Sequence, residues 1–202
     1  ESTPRIGPAR LRFLWQSLME LRGELLKRGS DLLVRIGKPS DVVIELASKL
    51  NAREVRVADH AGVEEFAHIQ AVEQGLPSQT ALNCIESGRL IDRKALPFER
   101  EALPGSFSAF RRSVESECAV PASRCAPITL PPWPEAARGF PPLKAVCEQS
   151  ATWQPDPRQG YAYRGGESAA HGRLKDYLWR QQGGETYKKT RNGLLGANFS
   201  TR

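Results

Sequence analysis

Apolar residues recur at spacings of three and four from the start of the chain. Leu11, Leu14, Trp15, Leu18, Leu21, Leu25 and Leu26 form one stripe along about four turns, which predicts a helix. Gly29 stands where such a helix would stop. Leu32-Leu33-Val34-Arg35-Ile36 is short, mostly apolar and closed by Gly37, so it reads as a buried strand. Pro39-Ser40-Asp41 carries helix-start signals, and Val42, Val43, Leu46, Ala47 and Leu50 mark the inward face that follows. Glu54 to Ala58 reads as a second strand. Gly62 to Gly75 reads as a third helix with Phe66, Ile69 and Val72 inward, and residues 79–85 form a weaker strand candidate.

Strands alternating with helices of about 10–15 residues predict βαβ units and a parallel sheet. The fold class is therefore α/β, a partial doubly wound parallel sheet. From residue 121 the pattern breaks: nine of the fifteen prolines lie between Pro121 and Pro157. Proline removes donors and restricts its neighbours, so this stretch is an irregular connector. Trp133 and Trp153 within it are expected to hold it against a protein surface. Glu167 to Gln182 reads as a further helix carrying Leu174, Tyr177, Leu178 and Trp179, broken by Gly183 and Gly184. The expected organisation is an α/β domain over 1–120, a linker over 121–160 and the start of a helical domain over 161–202.

Charge adds one feature. The 202 residues carry a net charge of +6, and all of the excess lies in residues 158–202, where nine basic side chains face three acidic ones. Such a section marks either nucleic-acid or phosphate contact or a solvated helix face. Cys84, Cys118, Cys125 and Cys147 are spaced too irregularly for a zinc site, and His60, His68 and His171 add no metal spacing. No metal is expected, and the thiols read as the reduced cysteines of an intracellular protein. No apolar run is long enough to span a bilayer. The sequence opens Glu1-Ser2-Thr3-Pro4-Arg5 without Met, and three strands are few for such a sheet, so a piece of a longer chain is expected.

Several stretches together resemble the photolyase/cryptochrome family, most closely its DASH-type cryptochromes. They are Gly7-Pro8-Ala9-Arg10-Leu11-Arg12-Phe13-Leu14-Trp15-Gln16-Ser17-Leu18, the run from Leu32 to Pro39, Leu96-Pro97-Phe98, Leu103-Pro104 with Phe107 and Phe110-Arg111, and Leu130-Pro131-Pro132 with Pro134. Two motifs are the most specific. One is Gly165-Gly166-Glu167 followed by Leu174, Tyr177 and Trp179. The other is Tyr187-Lys188-Lys189-Thr190-Arg191-Asn192-Gly193-Leu194-Leu195-Gly196, ending in Asn198-Phe199-Ser200-Thr201-Arg202.

The resemblance implies a Rossmann-like photolyase N-terminal domain, a linker, and the first helix of an all-α FAD-binding domain. It implies FAD as cofactor, with Tyr187, Ser200 and Thr201 against the flavin's phosphates and ribitol. Hydroxyl and backbone donors near a helix start suit a pyrophosphate, and Arg191 and Arg202 would add positive potential for phosphate or DNA. The alternative for Tyr187 and the nearby glycines is a plain surface turn.

Family members also carry a folate antenna, methenyltetrahydrofolate, held by an acidic residue just after the strand placed here at 54–58. His60 occupies that position, with Glu64 and Glu65 one turn on, so the two glutamates are either folate contacts or residues favouring a helix N-terminus. In the family the strands at 32–36 and 54–58 are separated by two others, so no ladder between Val34 and Val57 is expected.

The function implied is blue-light-driven, FAD-dependent repair of cyclobutane pyrimidine dimers, chiefly in single-stranded DNA, or photoreception, by an intracellular monomer of unresolved compartment. UV-damaged DNA is the implied partner. The alternative is a non-enzymatic α/β module for light signalling or partner binding. The 202 residues alone are expected to be inactive, because the resemblance puts the remaining walls of the cofactor pocket in a part of the family's domain absent from this sequence. No Gly-x-Gly-x-x-Gly follows a strand, which counts against a generic dinucleotide-binding protein.

Overall fold

The computed structural model describes residues 6–135, 139–146, 148, 152–157 and 163–190. The chain folds as two compact units, one formed by residues 37–127 and the other by the segments on either side of it in sequence.

The inserted unit is built on a single βαβ repeat. Helix α2 (Pro39–Lys49) starts with Pro39 in the first turn, where the missing N–H costs nothing, and has Asp41 near its N-terminus and Lys49 at its end. Strand β1 (Glu54–Ala58), helix α3 (Val63–Gly75) and strand β2 (Ala81–Ile85) follow. The strands pair in parallel, Glu54 with Ala81 through Ala58 with Ile85. The ladder extends at both ends, from Ala81 N–H to the Arg53 carbonyl and from Asp59 N–H to the Ile85 carbonyl, both at 2.9 Å. Thr80, almost fully buried, ties the start of β2 to the end of α2 by donating to the Ala52 carbonyl at 2.7 Å.

Ala47 and Val72 are the most buried aliphatic side chains of this unit. Helices α2 and α3 pack on one another, and at Gly75 a Cβ would overlap Ile44, so glycine sets how closely they approach. Phe66, expected inward, is instead 55% exposed. Helix α4 (Phe107–Glu117) is capped by Ser106, whose Oγ accepts from Ala109 N–H. Phe110 on it stacks at a tilt on Phe98, with ring centroids 5.3 Å apart.

The other unit begins with helix α1 (Pro8–Lys27). Gly29, at φ +83°, closes it with a Schellman turn: Ser30 N–H reaches the Leu25 carbonyl and Gly29 N–H that of Leu26. The buried stripe is narrower than the leucine pattern suggests. Leu11, Trp15, Leu18 and Leu25 are half-buried, while Leu14, Leu21 and Leu26 are exposed.

Residues 32–36 are the main correction. They form no strand; the run is an extended connector joined to the proline-rich chain, with Val34 N–H donating to the Gly139 carbonyl at 3.4 Å and Leu130 N–H to that of Arg28 at 2.9 Å. Among the described residues the only sheet is β1–β2. The apolar content of Leu32 to Val34 reflects partial burial, not membership of a ladder, and Ile36 is 62% exposed.

Trp15 meets Phe140 edge-on, with centroids 4.7 Å apart, and Arg22 lies over the same ring at 5.1 Å while chelating Asp31 at 2.6 and 3.1 Å. That hydrogen bond also raises the Arg22 pKa. A single helical turn, α5 (Leu143–Val146), interrupts the connector. Helix α6 (Glu167–Lys175) runs directly into a π-helical turn, Asp176–Arg180, and α7 (Gly183–Thr190) follows. The helix expected over 167–182 is thus correct in place, but its second half is wound with the wider π pitch.

Candidate functional site

The residues that the sequence singles out lie at the end of the second unit, and their placement starts with how α6 begins. The first N–H groups of any helix lack intrahelical acceptors. Gly166, at the N-cap of α6, has no side chain to supply one, so three side chains of α1 do. Gly165 N–H donates to Gln16 Oε1 at 2.9 Å and Gly166 N–H to Ser17 Oγ at 3.0 Å. Ser168 donates to Glu20 Oε1 from its backbone at 2.7 Å and from its hydroxyl at 2.8 Å. These bonds, the backbone one first, hold the Glu20 carboxyl below its ordinary value of 4.5.

Both glycines are required by this contact. A Cβ at 165 would overlap the Phe13 carbonyl, and Gly166 combines φ +109° with close approach to the Glu20 carboxylate. The Gly165-Gly166-Glu167 motif is therefore the footprint of α1 on α6.

Within α6, Arg173 is buried, pairs with Asp176 at 3.4 Å and lies over the Tyr177 ring at 5.3 Å. Asp176 also accepts from Gln181 and faces Arg180. Tyr177 is buried, and its hydroxyl donates to the Gly183 carbonyl at 3.2 Å. Leu174 and Leu178 are half-exposed and Trp179 is 67% exposed. Gly172, Lys175, Asp176, Trp179 and Arg180 line an open groove of about 440 Å³.

Tyr187 sits on α7 with its side chain 44% exposed, beside Lys188 and Lys189. A phenol hydroxyl and two ammonium groups supply donors that phosphate and hydroxyl-rich ligands accept. Ser200, Thr201, Arg191 and Arg202 lie outside the described residues.

Glu64 and Glu65 occupy the first turn of α3, both exposed, and the Glu65 carboxylate folds back over Gly62. His60 is exposed just beyond β1. At the same strand ends stands a group that sequence reading did not single out. Asp59 accepts from Arg89 at 3.0 Å and from Arg93 at 3.2 Å, and both arginines also face Glu86. Asp59 and Glu86 each directly follow a strand, the only local signal for this network. The contact of Gln16, Ser17 and Glu20 with α6 had none, since 148 or more residues separate its partners. Among the described residues no cluster of His, Cys, Asp or Glu is suited to a metal, and no helix is long and apolar enough to cross a membrane.

Comparison with known proteins places this arrangement. The chain is 35% identical over 203 residues to the chloroplastic/mitochondrial cryptochrome DASH of Arabidopsis thaliana, covering 98% of this chain and 35% of that protein. It is 36% identical over 207 residues to cryptochrome DASH of Xenopus laevis, covering 39% of it. The crystal structure of a Synechocystis cryptochrome superposes with a TM-score of 0.82 at 31% identity over 97% of this chain and 41% of the other. A bacterial class III photolyase from Agrobacterium tumefaciens shares the fold, with a TM-score of 0.69 at 20% identity. The chain spans well under half the length of these relatives. The DNA photolyase family profile matches residues 1–134, which take in α1, the βαβ repeat and α4. The motif at Gly165 and the fold around it extend the likeness onward, and the chain belongs to the DNA photolyase family.

Proposed function

We propose that this chain is part of a DASH-type cryptochrome that binds FAD and uses blue light either to split cyclobutane pyrimidine dimers, chiefly in single-stranded DNA, or to signal. The supporting observation is the placement of Tyr187. It lies exposed on α7, immediately after a turn fixed by Tyr177 and Gly183, in the motif that resembles the family's flavin segment. The chain's residues fit the group in their chemistry: the Tyr187 hydroxyl would donate to a phosphate or ribitol oxygen, and Lys188 and Lys189 would offset phosphate charge. Ser200 and Thr201 are assigned to the same ligand, and Arg191 and Arg202 to phosphate or DNA, on the resemblance alone.

When bound, FAD supplies the light-driven electron transfer itself. The protein's part is to hold the cofactor and exclude water. A site of this kind buries most of its ligand in a preformed cavity. Tyr187 alone contributes about 0.5–1.5 kcal/mol net, against ~8 kcal/mol for micromolar binding. The 202 residues alone are accordingly proposed to be colourless and inactive in dimer repair, the rest of the pocket coming from further helical sequence.

We read residues 1–120 as a partial photolyase-type α/β domain, 121–160 as a linker and 161–202 as the start of the FAD domain. Damaged DNA is the proposed partner, the protein a monomer, and the compartment intracellular. Folate contact at Glu64 and Glu65 remains the secondary proposal.

The test is the protein expressed with its complete helical domain. Flavin absorbance in the purified protein, weakened by Tyr187→Phe, supports the reading, and absence of flavin from the complete protein overturns it. Irradiation with a dimer-containing oligonucleotide then separates repair from signalling.

A further inference from the structure

We propose that helix α1 is the positioning element for the cofactor-bearing end of the chain, acting through Gln16, Ser17 and above all Glu20 on the start of α6. This rests on the flavin reading of Tyr187. None of the three residues is placed against the cofactor; each acts through the helix it caps.

The geometry is a cap supplied from outside the helix. Four bonds of 2.7–3.0 Å run from Gly165, Gly166 and Ser168 to the three α1 side chains. Ser17 is itself fixed, its hydroxyl donating to the Phe13 carbonyl at 3.0 Å. The N-cap residue itself, Gly166, has no side chain to offer. The negative Glu20 also sits where the helix dipole favours an anion, so the end of α6 is already occupied by a carboxylate and is closed to a ligand phosphate.

From this cap to Tyr187 the path is helical except at Gln181 and Gln182. Helix α6 passes into the π turn without an intervening loop. Tyr177 in that turn is buried and holds the Gly183 carbonyl, Gly183 opens α7, and Tyr187 lies one turn further on. Stiff helical segments joined by a buried contact transmit a displacement at one end to the other. Where α1 puts Ser168, Tyr187 follows.

The test uses the full-length protein and compares wild type with Glu20→Ala, Glu20→Gln and Glu24→Ala. Glu24, one turn along, pairs with Lys27 and Arg28 instead. FAD affinity is read by fluorescence titration, and amide exchange is followed from Gly165 to Tyr187 without flavin.

Glu20→Ala is expected to weaken FAD binding about tenfold or more and to speed exchange from Gly165 through Tyr187. Glu20→Gln keeps an oxygen acceptor for Ser168 and restores both readouts to within about threefold, while Glu24→Ala changes neither. Unchanged FAD affinity in Glu20→Ala, or exchange that quickens at Gly165 to Ser168 but stops before Gly183, overturns the proposal even where the melting temperature falls. A wild-type protein that binds no flavin defeats the flavin reading, and the exchange experiment still decides the positioning role. Should Glu20→Ala not fold, Gln16→Ala and Ser168→Ala, each removing fewer contacts, carry the same comparison.

Discussion

Tyr177 and Gly183 fit each other so closely that no side chain can stand at 183. A Cβ there would overlap the Tyr177 ring, whose hydroxyl in turn donates to the Gly183 carbonyl at 3.2 Å. Gly183→Ala is therefore expected to destabilise by about 1–3 kcal/mol, the usual result of overpacking. Tyr177→Phe keeps the ring and loses only the bond, at about 0.5–1.5 kcal/mol. Urea midpoints at unchanged m-value measure both, and a Gly183→Ala cost below about 0.5 kcal/mol would show that the fit at 183 is not tight.

The aromatic contact of Trp15 with Phe140 is expected to contribute beyond its area. Phe140→Leu keeps much of the buried surface and removes both the edge-on pair at 4.7 Å and the ring beneath Arg22. An aromatic pair of this kind contributes about 0.5–1.5 kcal/mol. A double-mutant cycle with Trp15→Leu reads that coupling directly.

The carboxyls of Glu20, Glu24 and Glu54 have pKa values held below the ordinary 4.5, by Ser168, by Lys27 and Arg28, and by Arg56 and Asn83 respectively. Each binds its proton less tightly folded than unfolded, so the unfolded chain takes up more protons in acid and stability rises with pH there. The contribution is in place above pH 4.5 and is lost as pH falls through the lower folded values. Melting temperatures from about pH 6 to about pH 3 are expected to drop less steeply for Glu54→Gln than for wild type.

Asp59 gathers two guanidinium groups onto one oxygen at the carboxyl ends of the strands. Asp59→Asn leaves Arg89 and Arg93 with Glu86 alone and is expected to cost about 1 kcal/mol or less, as partly exposed pairs do. The sharper readout is local: amide exchange over 86–95 quickens, and added salt produces the same change in wild type.

Much of this was legible in the sequence, and the rest was not, for specific reasons. The stop at Gly29, the start at Pro39 and the strand at 54–58 each follow from local chemistry, and each appears where expected. Leu32 to Ile36 misleads because apolar content records burial, whereas a strand also needs a neighbour to receive its N–H groups, and Val34 finds Gly139 instead. The π turn at Asp176 accompanies the bond of the buried Tyr177 to Gly183 six residues on, which helix propensity does not contain. At the candidate site, the motif carried Tyr187, but the hold of Glu20 on Ser168 has no local trace. The glycines at 165 and 166 look like a plain turn until α1 is in place.

The division of the chain into an inserted unit and a divided one has a consequence during synthesis. Residues 37–127 hold their own βαβ ladder and can close it as soon as Ile85 has left the ribosome, since Glu54 and Ala81 are joined by only a short loop and one helix. Helix α1 emerges earlier yet must wait, because 148 residues separate Glu20 from Ser168. At ~5–20 residues per second that interval is roughly 7–30 s, and Trp15 too waits for Phe140 through most of it. Helix α1 is thus secured long after it is made, and it is a segment on which a chaperone would have long to act.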